Sequence, residues 1–264
     1  MAYTSEKITF TNASGTELDG VLEQPDGSIA GYALYAHCFT CSKEIAAAVR
    51  VSRALAEKNI ATLRFDFSGI GRSGGAFGDT TFTSDIGDII AAAAYLRSHY
   101  QAPDLLIGHS LGGAAILGAA GDVPEAKAVA TIAAPSEPAH VQHLFENEID
   151  RILAQGKAAV DLGGRKMEIS QAFVEDVRGF DLKSKVAAMK KALLILHSPT
   201  DQTVGIENAK AIFDAAKHPK SFITLDGADH LLMNKSDAEY AASIIAIWAA
   251  RYIDQSASSE SNAA

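Results

Sequence analysis

Basic residues are scarce in this chain: 23 lysines and arginines stand against 32 aspartates and glutamates, a net charge of −9. The acidic excess is spread along the sequence, which argues against nucleic acid or an anionic membrane surface as a partner. Long apolar runs are missing too; the longest, 88–96 and 241–250, are too short to span a bilayer. Met1 to Phe10 has no basic region followed by an apolar stretch, so no secretory signal is expected. Cysteine occurs only at Cys38 and Cys41, too few for a stapling framework, and a reducing cytoplasm is the expected location.

What is present is an ordinary globular composition, 48% hydrophobic and 21% charged over 264 residues, enough for one large core or two small ones. Residues 6–24 alternate around the turn Asn12 to Gly15 and predict an opening hairpin. Short apolar runs follow at Tyr32–Ala36, Ile60–Phe67, Leu105–Ile107, Ala128–Ile132, Leu193–Leu196 and Phe222–Leu225. Helical patterns separate them, one carrying Ile45, Val49 and Leu55 on a face, another over Ile86–Leu96. This alternation predicts an α/β fold with a mainly parallel sheet. A last helix is expected behind the capping box Ser236 to Glu239, with the stripe Tyr240, Ile244, Ile247, Trp248.

The rhythm breaks between Ile132 and Ala192, a stretch too long for one crossover. It holds a helix-like run, Val141 to Leu153, and then Gly163-Gly164 between two alternating segments, a tight hairpin signal. The expectation is one domain over 1–254, with residues 137–190 inserted as a short cap over the site. Gln255 to Ala264 reads as a small, polar, disordered tail.

One motif carries the chemistry. Gly108-His109-Ser110-Leu111-Gly112-Gly113 follows an apolar strand and opens into small and apolar residues, so Ser110 sits at the apex of a sharp strand-to-helix turn. Serine alone is a poor nucleophile and needs an acid–base partner and an anion-stabilising pocket. In this context the expected chain order is serine, acid, histidine. Asp201 lies in the loop after Leu193–Leu196, and His230 in the loop after Phe222–Leu225. All three therefore fall at C-terminal strand ends, where open α/β sheets carry their sites. Asp226 and Asp229 are rival acids; Asp229 adjoins His230, and adjacent side chains diverge, so solvent or backbone donors should hold it.

Of the other histidines, His109 occupies the variable position of the turn, His197 is a strand-end residue, and His99, His140, His143 and His218 are expected on the surface. His140 and His143 share a helix spacing but lack further ligands, so no metal is expected. The oxyanion pocket takes one N–H from Leu111 and a second from the loop Ala36 to Cys41, where Phe39 is the candidate because the chain must turn over the serine there. Gly69 to Gly74 matches a dinucleotide fingerprint, but it leads into Gly75-Ala76-Phe77-Gly78-Asp79 instead of an apolar helix, so no cofactor is expected. Cys38 and Cys41 lack a second pair for zinc and read as thiols packed under the oxyanion loop.

With these motifs, the chain from Ile8 to Tyr252 resembles the α/β-hydrolase superfamily. It is similar to small bacterial serine hydrolases that are sometimes fused to an OsmC-like domain. The shared stretches are Phe65 to Gly74, Gly108 to Gly113, Ser198 to Val204 and Gly227 to His230. Cys38 stands where many of these relatives have glycine. No peroxidase domain is expected on a chain that ends at Ala264. The resemblance implies an eight-stranded, mostly parallel sheet with helices on both faces. It also implies hydrolysis of carboxylic esters, with Ser110 as nucleophile, His230 as base, Asp201 as orienting acid, and Phe39 and Leu111 at the oxyanion positions. The expected partner is a small-molecule ester with a small to medium acyl chain. A thioesterase, an acyltransferase or a serine peptidase would use the same triad, and a non-catalytic thiol sensor would instead use Cys38 and Cys41.

Overall fold

The computed structural model describes residues 3–253; the expected tail from Gln255 lies outside them. The opening hairpin pairs β1 (Tyr3–Thr11) with β2 (Glu17–Pro25) antiparallel. Then come β3 (Gly31–Ala36), α1 (Ala46–Ala56), β4 (Ile60–Phe65), α2 (Phe82–His99), β5 (Leu105–His109), α3 (Leu111–Ala119) and β6 (Ala128–Ile132). After residues 133–191, the sheet resumes with β9 (Ala192–His197), α7 (Glu207–Ala215), β10 (Lys220–Thr224) and α8 (Lys235–Ile253).

The eight strands run in the order β1-β2-β4-β3-β5-β6-β9-β10. From β4 to β10 every pairing is parallel, and β1 and β2 are the antiparallel margin. Parallel central strands are covered on both faces, which is why β3, β5 and β9 read as unbroken apolar runs and are buried at every residue. α1 and α8 pack on one face around Tyr35, Ile107 and Leu194, while α2, α3 and α7 cover the other around Leu34, Leu106 and Ile195. Each fully buried leucine or isoleucine contributes roughly 1.5–3 kcal/mol relative to exposure.

The segment 133–191 contains α4 (Ile149–Gln155), β7 (Lys157–Leu162), β8 (Arg165–Ser170), α5 (Gln171–Gly179) and α6 (Leu182–Ala188). β7 and β8 form a two-stranded sheet of their own, and their turn has positive φ at both Gly163 (65°) and Gly164 (87°), which side chains resist. The helix expected over Val141 to Leu153 is interrupted. Pro138–Glu148 forms short 3₁₀ turns with a non-helical break at Phe145, and regular helix begins only at Ile149. The cap of α8 also differs from the sequence reading. Asn234, two residues before Ser236, accepts the Ser236 N–H at 3.2 Å, so the helix begins ahead of the expected box.

Candidate active site

Ser110 joins β5 to α3 with φ 55° and ψ −128°, a conformation that non-glycine residues rarely adopt. The turn is held by Ser110 N–H donating to the Ile132 carbonyl at 2.9 Å and Gly113 N–H donating to the Ser110 carbonyl at 2.8 Å. Its two neighbouring glycines are steric requirements. A Cβ on Gly108 would overlap the backbone of Gly112 and Gly113, and one on Gly112 would overlap the His37 carbonyl. Close packing of α3 on the end of β3 thus brings the Leu111 N–H beside the loop 37–41. Among the described residues, neither the Leu111 nor the Phe39 N–H has a hydrogen-bond partner.

The loops after β9 and β10 bring Asp201 and His230 to this turn. Ser110 Oγ lies 3.0 Å from His230 Nε2, and His230 Nδ1 lies 2.7 Å from Asp201 Oδ2. The other Asp201 oxygen accepts the N–H groups of Thr203 at 2.8 Å and Val204 at 3.0 Å, so both oxygens are engaged. Burial would raise the Asp201 carboxyl, but the bonds from His230, Val204 and Thr203 outweigh it and hold the pKa below the usual value. The carboxylate in turn fixes the proton of His230 on Nδ1 and leaves Nε2 free to accept one. Asp229 turns away: its oxygens accept the N–H groups of Leu231 at 2.9 Å and Met233 at 3.0 Å. Asp226 is exposed.

Three further histidines brace this arrangement, a role not expected from their positions in the chain. His109 Nε2 donates to the His230 carbonyl at 2.7 Å, His197 Nε2 donates to the Val204 carbonyl at 2.7 Å, and His140 Nε2 donates to the Thr203 carbonyl at 2.9 Å. His140, expected on the surface, therefore ties the segment 133–191 to the acid loop. The His109 and His140 bonds reach backbone carbonyls far along the chain, where no local motif could announce them, and the His197 bond closes the acid loop back on its own strand end.

Burial, then the neighbouring His230 charge, pushes His109 down to about 4. Its folded pKa thus lies below its unfolded value, so the unfolded chain takes up the proton first as pH falls. Stability is full above about pH 6.5 and declines between there and about pH 4, with a loss of about 2–3 kcal/mol at pH 4.5 from this group. Urea unfolding at pH 7 and pH 4.5 should show His109→Gln losing less stability than the parent protein. Equal losses would contradict this assignment.

Next to Leu111 a narrow cleft runs in under the loop 37–41, with Phe39, Ser68, Ile70, Phe77, Asp85 and Leu111 among its lining residues. Phe39 lies between Phe77 and Phe173 of α5, with ring centroids 5.6 Å apart in both pairs. Cys38 and Cys41, read from the sequence as packed under the oxyanion loop with their pairing left open, are joined by a disulfide. The reason is local: Thr40 at φ 57° folds the loop back until the two Cα atoms are 5.3 Å apart, within bonding reach. The glycine-rich loop after β4 has a structural task, wrapping Asp66, which accepts the Arg72 N–H at 3.0 Å and pairs with buried Lys43 at 2.6 Å. Among the described residues, no group of three or more His, Cys, Asp or Glu is placed to hold a metal ion, and no helix is long and apolar enough to cross a membrane.

The model of a family described as the alpha/beta hydrolase family matches residues 33–243. The esterase domain of a Rhodothermus marinus protein is 47% identical, with a TM-score of 0.77 over 95% of this chain and 99% of that one. Est1E from Butyrivibrio proteoclasticus, solved with ferulic acid bound, is 22% identical, with a TM-score of 0.76 over 93% and 99%. An esterase of Pyrococcus furiosus is 18% identical, with a TM-score of 0.72 over 95% and 92%. The last two likenesses speak for the fold alone. No curated protein matches.

Proposed function

The chain belongs to the alpha/beta hydrolase family, and from that premise we propose that it is a serine hydrolase of carboxylic esters working through an acyl-enzyme. The observation that carries this reading is the continuous contact from Ser110 Oγ through His230 to Asp201, at 3.0 and 2.7 Å. His230 Nε2 takes the Ser110 proton as Oγ attacks the acyl carbonyl. The negative charge that develops on the carbonyl oxygen is met by the N–H groups of Leu111 and Phe39. Loss of one such donor typically costs about 10²–10³ in rate. His230 then returns the proton to the departing alcohol, leaving the acyl group on Ser110. Water, deprotonated by the same histidine, attacks that ester, and His230 gives the proton back to Ser110 as the acid leaves. Asp201 stabilises the imidazolium at each half-reaction. The 47% identical neighbour is itself an esterase domain, which supports the ester as the bond cleaved.

The narrow cleft supports small to medium acyl groups, with residues 137–190 acting as a cap through Phe173. Turnover of p-nitrophenyl esters of increasing chain length tests this. The expected profile peaks at short to medium chains and falls steeply beyond them; a preference for long-chain esters would contradict it.

A further inference from the structure

The peptide unit between Cys38 and Phe39 carries the candidate oxyanion N–H of Phe39 at one end and the Cys38 carbonyl at the other. A trans peptide is planar, so whatever holds the carbonyl also sets where the N–H points. That carbonyl accepts the Cys41 N–H at 3.1 Å and the His37 Nδ1–H at 2.8 Å. Cys41 reaches it because Thr40, at φ 57°, turns the chain back. A threonine adopts this left-handed conformation at a cost, so the turn has to be held from outside. The disulfide holds it, joining residue 38 to residue 41 across the turn. A bridge between residues only 3 apart in sequence removes little freedom from the unfolded chain, so its effect is local to this loop.

We propose that the Cys38–Cys41 bond is a redox switch on the serine-esterase activity: closed, it keeps the Phe39 N–H aimed at the developing oxyanion, and opened by a dithiol, it lets the loop 37–41 relax and lowers kcat. The inference rests on the serine-esterase reading and adds its regulation. Cys38 is 3% exposed and Cys41 is half-buried, so the incoming thiolate meets Cys41 Sγ. The S–S bond breaks and its electron pair leaves on Cys38 Sγ, which takes up a proton. The second thiolate of the dithiol then attacks its own sulfur in the mixed disulfide, and the Cys41 thiolate departs and is protonated in turn. The protein gains two electrons and two protons, and the dithiol is oxidised to a cyclic disulfide. Ser110, Asp201, His230 and the Leu111 N–H all lie outside the loop, so opening the bond weakens one oxyanion donor and leaves the triad in place.

The test prepares the protein with oxidised and with reduced dithiothreitol, removes the reagent under argon, and measures free thiols and p-nitrophenyl acetate turnover in each state. The chain has two cysteines, so the thiol count should pass from none to two. On reduction kcat should fall about tenfold or more, up to the roughly 10²–10³ that one oxyanion donor supplies, with KM much less changed. Reoxidation should restore it, and near-UV circular dichroism should show the same folded protein in both states. The double variant Cys38→Ser, Cys41→Ser should have the low kcat and ignore both reagents. A thiol count that the treatments do not change, equal kcat in the two states, or a fall in kcat that follows a loss of folded protein would overturn the switch and leave the esterase reading intact. No ester turnover in either state would overturn both.

Discussion

Ser110→Ala is expected to lower kcat/KM for p-nitrophenyl esters by about 10⁴-fold or more. The substitution removes the one atom that attacks the carbonyl and changes little else. Ser110 Oγ has His230 as its hydrogen-bond partner, and the unusual backbone of the turn is fixed by main-chain bonds to Ile132 and Gly113. The variant should therefore fold with unchanged stability and bind ester, with residual catalysis from the oxyanion N–H groups alone. Steady-state kinetics beside a thermal melt checks this. Loss of activity by less than tenfold, in a protein of unchanged stability, would mean that another group attacks.

Asp201→Asn should cost about as much, roughly 10⁴-fold in kcat, with KM little altered. The geometry indicates why an isosteric change is so damaging. One side-chain oxygen is committed to the N–H groups of Thr203 and Val204, and asparagine would keep its oxygen there. Its amide nitrogen would then face His230 Nδ1, which would have to accept a bond instead of donating one. The ring proton would move to Nε2, where it blocks removal of the Ser110 proton. Kinetics from pH 6 to 9 should show the loss across the whole range. A variant with more than a tenth of the parent rate would contradict the role of Asp201.

Much of this arrangement was legible before any coordinates. Ser110, Asp201 and His230 each follow an apolar run, and parallel strands deliver their C-terminal loops to one edge of the sheet. The Gly163-Gly164 turn was readable because only glycine tolerates positive φ at two successive positions without cost. The break at Phe145 was not, because a 3₁₀ segment and a helix share nearly the same apolar spacing. The Cys38–Cys41 bond depends on the left-handed Thr40, which no composition rule announces. The bracing by His109 and His140 is a statement about what distant residues do. In the sequence His109 is a free position in a motif, and His140 is one more histidine in a polar stretch.

The most direct test of the account is the mass of the protein after exposure to an organophosphonate, with the adduct located by peptide mapping. The prediction is one adduct per chain, on the peptide carrying Ser110, and none after His230→Ala. No adduct, or one on another serine of the cleft such as Ser68, would contradict the assignment of Ser110 as the nucleophile.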